Sequence, residues 1–411
     1  MAFIYNLIVH IAWFHLKLLA KVSPKIKLFV EGRKETFSIL EKSISQSDNI
    51  IWVHVASLGE FEQGLPIIEK LRIEKPSYKI LITFFSPSGY EVKKNTSAAD
   101  IVAYLPLDTK GNVKKFLALT QPKLVLFVKY EIWPNYMMGL ESRKIPSLLI
   151  SAIFKKEQVY FKWYGNFMRK SLAAFSHIFV QNEKSKELLK SINIVNTTVN
   201  GDTRLDRVSE ILERDNTLPI IETFKNDTLC LVAGSTWGED EAILLDFINT
   251  TSKKLKYILA PHKIEKEKIL GLAGSISKKT VLFSNSNLKT VHNYDVLIVD
   301  NIGMLTKIYN YADIAYIGGG FSTGLHNTLE PAVYGIPVII GPNYEGFQEA
   351  EDLVAQKGIL PIQDSRSLGE ILKKLLDNSE LLKRTGQINA SYITKNKGAS
   401  IQIMDHIRTL L

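Results

Sequence analysis

Short apolar runs alternate with longer amphipathic stretches along most of this chain. In the first half, the apolar runs read as strands at Ile50–Ala56, Lys79–Phe84, Lys123–Val128, Ser147–Ser151 and His177–Val180. Helical periodicity separates several of them, at Phe61–Arg72, Pro134–Glu141 and Tyr160–Ala174. Such strand–helix alternation predicts a parallel, doubly wound sheet.

The alternation weakens over residues 207–227 and then restarts. The second set of strand-like runs lies at Thr228–Ala233, Lys256–Ala260, Thr280–Phe283, Asp295–Val299, Asp313–Ile317 and Pro337–Ile340. We therefore predict an α/β protein with two Rossmann-like, doubly wound domains that face a cleft. The predicted bounds are an N-terminal segment at 1–24, a first domain at 25–207, a linker at 208–227, and a second domain with C-terminal helices at 228–411. We also expect the last helix to return toward the first domain.

Composition agrees with a two-domain globular protein. The 411 residues are 45% apolar, which is enough for two hydrophobic cores. The single cysteine, Cys230, lies in an apolar run, which excludes an internal disulfide framework and fits a reducing compartment.

The N-terminal segment combines an uncharged apolar stretch with a basic flank. Met1–Leu16 contains no charged residue, and positive charge follows it at Lys17, Lys21, Lys25, Lys27, Arg33 and Lys34. Cleavable signal peptides carry their charge before the apolar stretch. A spanning helix needs about 20 apolar residues. Three interpretations stay open: a short or tilted anchor, an interfacial helix, or a helix packed on its own domain. The basic flank predicts that the protein lies on the cytoplasmic side of a membrane.

A glycine-rich motif over residues 318–342 indicates a nucleotide site. Gly318, Gly319 and Gly320 follow a predicted strand, and Asn327 and Glu330 come soon after them. Glycine lets the backbone approach phosphate, and a carboxylate can bind two ribose hydroxyls. The alternative is an ordinary glycine-rich turn, which the full motif through the closing Gly-Pro disfavours.

Two further polar turns follow strands of the second half. Ser235 and Thr236 offer hydroxyl and backbone groups to an anion, although a plain helix cap explains them equally well. Pro261 and His262 form a second such turn.

Two carboxylates follow strands of the first half. Glu60 comes at the start of a helix after the first strand, and Glu131 follows the strand at Lys123–Val128. Because ligands bind at the carboxyl ends of parallel strands, both carboxylates are candidates for acid–base chemistry. Helix capping is the structural alternative for each.

Other chemistries lack their motifs. The sequence has no Asp-x-Asp triplet, no zinc-spaced Cys/His cluster, no phosphate-binding P-loop and no Gly-x-Ser-x-Gly, so we predict no metal site. The basic and aromatic stretch Lys155–Lys170 reads as a helix that faces a membrane or acceptor, not as a nucleic-acid module.

Taken together, the motifs resemble those of the Kdo (3-deoxy-D-manno-octulosonic acid) transferases of lipopolysaccharide assembly, which are glycosyltransferases of the GT-B fold. The similarity is carried by VHVASLGEFEQGLPII, SPSG at 86–89, YLPLD, EIWPN at 131–135, NGDTRLD, GSTWGEDE, APHK and the 318–342 motif. It implies an inverting, metal-independent enzyme that needs no cofactor, because CMP-Kdo is its co-substrate. The implied acceptor is a lipid A precursor at the cytoplasmic face of the inner membrane.

The resemblance also implies roles for single residues. Glu60 corresponds to the family's general base and Glu131 to its second catalytic acid. Arg204 stands where the family commonly has a lysine, and a planar guanidinium differs from a point charge.

In the donor site, the family's Pro-Arg pair becomes Pro261-His262, and its Met-Gly-Glu becomes Ile302-Gly303-Met304, without the carboxylate. The family's Asn-Pro-Leu-Glu becomes Asn327, Thr328, Leu329 and Glu330.

Three other functions compete with this one. Another GT-B transferase could use a different nucleotide sugar for a lipid or cell-wall acceptor, and the paired SLGE and EIWPN motifs argue against it. A two-lobed binding protein would not need both Glu60 and Glu131. Nucleic-acid binding rests only on the net charge of +9, much of which lies in the N-terminal flank.

Overall fold

The chain forms two compact α/β units. The computed structural model describes residues 1–322 and 324–411. The first unit consists of Met1–Asp206 and Lys397–Leu411, and the second of Arg207–Asn396. Each unit contains one seven-stranded sheet whose paired strands are all parallel, which confirms the predicted fold class.

The first sheet has the strand order β3-β2-β1-β4-β5-β6-β7. Its strands are β1 (Asn49–Val55), β2 (Tyr78–Phe84), β3 (Ile101–Tyr104), β4 (Leu124–Val128), β5 (Ser147–Ala152), β6 (His177–Val180) and β7 (Thr197–Val199). The order reverses between β1 and β4. Ligands of open α/β sheets bind outside the carboxyl ends of the strands at such a switch point.

The second sheet has the order β10-β11-β9-β8-β12-β13-β14. Its strands are β8 (Cys230–Thr236), β9 (Lys256–Pro261), β10 (Thr280–Leu282), β11 (Val296–Ile298), β12 (Ile314–Ile317), β13 (Val338–Ile340) and β14 (Ile359–Pro361). Its switch point lies between β8 and β12, where the motif at 318–342 begins.

Helices connect the strands and cover both sheets. They are α1 (Ala2–Leu19), α2 (Pro24–Ser43), α3 (Leu58–Glu74), α4 (Pro87–Lys93), α5 (Lys110–Thr120), α6 (Pro134–Ser142), α7 (Asn166–Ala173), α8 (Glu183–Lys190), α9 (Thr203–Ser209), α10 (Pro219–Lys225), α11 (Gly238–Thr250), α12 (Lys266–Gly274), α13 (Leu305–Ile308), α14 (Leu329–Ala332), α15 (Gln348–Ala355), α16 (Ser365–Asp377), α17 (Ser379–Asn396) and α18 (Ala399–Arg408). Short 3₁₀ turns lie at Val159–Phe161, Glu210–Glu213, Phe283–Asn285, Val291–Asn293 and Tyr309–Tyr311.

One predicted helix, Tyr160–Ala174, is wrong over its first half. That half contains a 3₁₀ turn and a loop, and α7 begins only at Asn166. A Cβ at Gly165 would lie 1.9 Å from the carbonyl oxygen of Val159, so the chain folds back too closely there for a continuous helix. Trp163 in the loop is 90% exposed.

The compact units differ from the predicted domain bounds at two places. Residues 208–227 contain α10, whose Ile221 and Phe224 are buried in the second unit, instead of forming an open linker. Residues 397–411 join the first unit, as we expected of the last helix, because α18 places Ile403, Met404 and Ile407 in its core.

Candidate functional site

Glu60 lies at the switch point of the first sheet, in the first turn of α3. Its Oε2 accepts hydrogen bonds from the backbone N–H of Ser57, at 3.0 Å, and from the Ser57 hydroxyl. These contacts form a capping box, in which a carboxylate and a serine satisfy the open end of a helix. The capping interaction therefore orients the carboxylate at the sheet edge.

Glu131 lies at the same edge because β1 and β4 are neighbours. Its Oε2 accepts from the indole N–H of Trp133 at 3.1 Å and lies 3.2 Å from Nε2 of His54. The Glu131 side chain is only 16% exposed, and His54 is fully buried. Burial and, after it, the charge of Glu131 raise the pKa of Tyr160 to about 12.

Asp108 holds the start of α6, just after Glu131, in place. Its carboxylate accepts from the backbone N–H groups of Asn135 and Tyr136, both at 3.0 Å, and from the hydroxyl of Tyr5 at 2.7 Å. Burial raises the pKa of Asp108 to about 6, although these hydrogen bonds act in the opposite direction. Asp108 was not among the predicted site residues. Its place in the YLPLD motif was the available signal.

Arg204 is positioned by a carboxylate of its own segment. Its Nε and Nη2 lie 2.9 and 2.6 Å from Oδ2 of Asp202, and Gln63 of α3 approaches Oδ1 of Asp202 at 3.3 Å. Burial opposes ionisation of Asp202, but Arg204 outweighs it and holds the Asp202 pKa below its usual value.

The charges of both Glu60 and Arg204 act on the hydroxyl of Tyr130. Burial and, next, the charge of Glu60 raise the pKa of Tyr130, while Arg204 lowers it. Glu60, Tyr130 and Arg204 therefore share one electrostatic neighbourhood.

In the second unit, the glycine run packs closely against neighbouring turns. The N–H of Gly318 donates to the carbonyl of Gly234 at 3.0 Å, and that of Gly319 to Asp240 at 2.9 Å. A Cβ at Gly320 would lie 2.8 Å from the backbone of Gly341. Close packing thus explains these glycines, and two of their N–H groups are already satisfied inside the protein.

Asp240 accepts hydrogen bonds from several segments around this glycine run. It is buried, and besides Gly319 it accepts from the Tyr316 hydroxyl at 2.7 Å and the backbone N–H of Trp237 at 2.9 Å. Sequence reasoning missed its role, although an acid in the first turn of a helix after a strand was the available signal.

Three aromatic rings stack at the carboxyl ends of β8, β9 and β12. The ring of His262 lies 4.6 Å from that of Trp237 and 4.5 Å from that of His326. The indole N–H of Trp237 donates to Nε2 of His326 at 2.9 Å, which leaves Nδ1 to carry the proton of a neutral His326 ring. Burial and the neighbouring His262 lower the pKa of His326, and burial and Lys263 lower that of His262.

Glu330 is held by hydrogen bonds on both oxygens. Asn327 Nδ2 donates to Oε1 at 3.0 Å, and the Thr306 hydroxyl donates to Oε2 at 2.7 Å. Thr306 belongs to α13, which follows Ile302, Gly303 and Met304. The helix that follows one predicted donor segment therefore contacts Glu330 of another, and the adjacent Thr328 and Leu329 are buried.

The remaining predicted donor residues differ in exposure. Thr236 is buried and donates to Glu241 at 3.0 Å, so its hydroxyl is already engaged, and Ser235 has a positive φ of 54°. Pro261 ends β9 beside them. Gly303 has a φ of 91°, a value that favours glycine, and Ile302 next to it is 89% exposed.

Known proteins resemble this chain both in its first unit and over most of its length. A family model described as 3-deoxy-D-manno-octulosonic-acid transferase (kdotransferase) matches residues 31–207. A protein of Aquifex aeolicus named 3-deoxy-D-manno-octulosonic acid transferase is 31% identical over 366 residues, covering 86% of this chain and 95% of that protein. One of the same name from Haemophilus influenzae is 28% identical over 375 residues, covering 88% of this chain and 87% of its own length.

Solved structures agree on the fold. The UDP-GlcNAc 2-epimerase of Neisseria meningitidis, bound to UDP-GlcNAc, superposes with a TM-score of 0.62 at 16% identity, covering 88% of this chain and all of that one. At this identity the likeness concerns architecture alone. The two Rossmann-like units correspond to the GT-B fold.

Proposed function

Since this chain belongs to the 3-deoxy-D-manno-octulosonic acid transferase family, we propose that it transfers Kdo from CMP-Kdo to a lipid A precursor, with inversion and without a metal ion. The observation that carries the proposal is the placement of Glu60 and Glu131 at the switch point of the first sheet. The nearby Arg204 adds a cation to this group.

In the proposed reaction, Glu60 accepts the proton of an acceptor hydroxyl. The hydroxyl oxygen forms a bond to the anomeric carbon of Kdo, and the bond from that carbon to the phosphate oxygen breaks. The bonding electron pair leaves with CMP, and the proton stays on Glu60. General-base catalysis of this kind contributes about 10²–10⁴-fold to the rate. Arg204 stabilises the negative charge that develops during transfer.

The second unit binds the donor in this proposal. Glu330, held by Asn327 and Thr306, is oriented to accept hydrogen bonds from the ribose hydroxyls of CMP. The ring of His262 is exposed and stacked on Trp237, which offers a flat surface beside Pro261.

Helix α1 supports a location on the cytoplasmic face of the inner membrane. Among the residues described, it is the one helix long and apolar enough to span a membrane by length and composition. One side of it is docked on the first unit, through Tyr5 to Asp108 and through Asn6, which accepts from Asn135 at 3.1 Å. The opposite side exposes Phe3, Ile4, Leu7, Ile8, Ile11, Phe14 and Leu18. We infer that α1 lies parallel to the bilayer surface, with its exposed apolar side in the lipid.

The proposed function is tested with the purified full-length protein, CMP-Kdo and a lipid A precursor, followed by mass analysis of the lipid. We expect the acceptor to gain the mass of one or more Kdo residues. A lipid that stays unmodified with CMP-Kdo but gains a sugar from a UDP-sugar would overturn the proposal.

A further inference from the structure

A groove runs between α1 and the start of α5 in the first unit. Its volume is about 520 Å³, within the range of small-molecule sites, which is about 300–1,000 Å³. One wall is formed by Phe3, Asn6, Leu7 and His10 of α1, and the other by residues 109–112. The four residues of α1 are spaced three or four apart, so they lie in a row along one face of the helix.

The groove lies beside the sheet edge that carries the two proposed catalytic carboxylates. Residues 109–112 follow β3, whose carboxyl end is at the same edge as those of β1 and β4, because these strands are parallel. Asn6 of the groove accepts from Nδ2 of Asn135 at 3.1 Å, and Asn135 comes four residues after Glu131. A ligand in the groove therefore lies next to the segment that holds Glu131.

The two walls of the groove differ in chemistry. Phe3 and Leu7 are exposed, and they belong to the apolar side of α1 that we place in the lipid. On the other wall, the side chain of Lys110 is exposed, and Gly111 leaves space, because a Cβ there would meet no atom within 4 Å. No carboxylate occurs among the described residues that line the groove. A ligand that fits both walls has an apolar chain and an anionic head group.

The polar groups of the groove suit a phosphate in particular. The ammonium group of Lys110 is a compact charge with three donors, and the imidazole of His10 offers a further N–H. Hydrogen bonds from a cation to a phosphate are about twice as strong as neutral ones. A lipid A precursor is an acylated and phosphorylated sugar, so it carries both parts that the groove would recognise.

We propose that this groove binds the lipid acceptor, with an acyl chain along Phe3 and Leu7 and a phosphate on Lys110 and His10. The identity of the acceptor rests on the proposed function. A phospholipid of the bilayer has the same two parts, but only an acceptor has to bring a hydroxyl to the sheet edge beside Glu131. The acceptor thus reaches that edge along α1 while its other chains stay in the membrane.

Binding is measured without CMP-Kdo, using the full-length protein and a radiolabelled lipid A precursor in micelles of a neutral detergent. K110Q removes the charge, and G111L places a side chain in the groove at a position where the fold leaves space for it. We expect each to weaken binding at least about tenfold, as for loss of a charge-assisted hydrogen bond or of the space for a chain. A dephosphorylated precursor should bind K110Q and the unsubstituted protein equally well.

The matched control is K114Q, which removes an exposed charge one turn further along α5 and outside the groove. We expect it to leave the affinity within about twofold, as for a surface site away from the ligand. In turnover, K110Q should raise the KM for the lipid and leave kcat and the KM for CMP-Kdo unchanged, the pattern of a group that binds substrate and transition state equally.

The groove and the proposed function can fail separately. If K110Q and G111L, folded by circular dichroism, keep the affinity for the precursor, the groove is not the acceptor site, even when the unsubstituted protein transfers Kdo. If both variants lose only their binding to phosphatidylglycerol vesicles, the groove holds bulk phospholipid and the proposal is overturned. If the unsubstituted protein binds the precursor through Lys110 but adds no Kdo to it, the acceptor groove stands and the proposed function fails.

Discussion

Individual side chains show that the two carboxylates of the first unit are held by different partners. Oε2 of Glu60 accepts from the N–H and hydroxyl of Ser57, which are neutral and belong to its own helix start. Oε2 of Glu131 meets Trp133 and His54, which come from a following turn and a central strand. The two carboxylates thus reach the same sheet edge through different local contacts.

Substitution of Glu60 separates catalysis from capping. A capping box accepts either Glu or Gln, so E60Q keeps the helix start while it removes the base. We expect turnover on the lipid acceptor to fall by at least about 10²-fold with CMP-Kdo affinity retained. Steady-state kinetics and calorimetry measure the two quantities.

E62Q is the matched control, because Glu62 lies on the same helix and pairs with Lys93 at 3.3 Å. Near-normal turnover of E60Q would transfer the role of base to Glu131.

Substitution of Glu330 addresses the donor. E330A removes an oriented carboxylate, and we expect CMP to bind more weakly by about 1.5–3 kcal/mol, as for hydrogen bonds to a charged group. Isothermal calorimetry with CMP measures this loss. E345A, which removes an exposed carboxylate of the same unit, should leave the affinity unchanged. Equal CMP affinity in E330A, with its fold intact by circular dichroism, would remove Glu330 from the donor site.

Among the helices, α1 and α6 are connected through the buried Asp108. This carboxylate caps α6 and accepts from Tyr5 of α1, so a single residue joins the proposed membrane helix to the segment that follows Glu131. Its environment makes that connection sensitive to pH.

Stability should depend on pH through Asp108. Burial raises its pKa to about 6 in the folded protein, above the 3.8 of an unperturbed Asp, so the folded state binds the proton more tightly. This contribution to stability is fully present below about pH 4 and is lost as the pH rises through about 6, by up to roughly 3 kcal/mol.

Thermal unfolding at pH 4.5 and 7 measures this effect. As the pH falls, the unsubstituted protein should gain stability relative to D108N but not relative to D405N, which changes an exposed aspartate. If the unsubstituted protein and D108N differ in stability by the same amount at both pH values, the pH dependence does not come from Asp108.

The exposed side of α1 should govern attachment to lipid. Substituting Ile11 and Phe14 with Glu removes two apolar side chains, each worth about 1.5–3 kcal/mol when buried. We expect cosedimentation with anionic liposomes to be lost at both low and high salt, while the I11V/F14L control still binds. Unchanged sedimentation of the Glu variant would mean that α1 serves only its own unit.

For the whole molecule, the regular alternation of strands and helices was the part that sequence could predict. The central strands were predicted within a few residues, because each is a continuous apolar run buried on both sides. The strands β3, β7 and β14 were missed. They are three or four residues long and lie at sheet edges, where the burial that produces such a run is incomplete.

Contacts between distant segments limited prediction of the site. The motifs indicated Glu60, Glu131 and Glu330, but their partners follow from which strands are adjacent. His54 reaches Glu131 only because β1 pairs with β4, and Thr306 reaches Glu330 from another strand–helix turn. No periodicity in the sequence encodes these pairings.

The return of α18 to the first unit ties the last residues of the chain to the first core. Met404 has no exposed surface, and Asp206 accepts from the backbone N–H groups of Gly398 and Ser400. We expect M404A to destabilise the first unit by about 2–5 kcal/mol, as other truncations of buried Met do.

Denaturant unfolding followed by a probe in the first unit measures this loss. I401A, at an exposed position of the same helix, is its control. An equal effect of both variants would mean that α18 contributes little to that core.

This return also determines the order in which the protein can be completed during synthesis. When Asp206 leaves the ribosome, the first unit has all seven of its strands but still lacks α18. The second unit is continuous in sequence and can close its core as soon as Asn396 has emerged. The unit that is translated first is therefore the last to finish folding, and until then its unfilled core is the surface that a chaperone would have to shield.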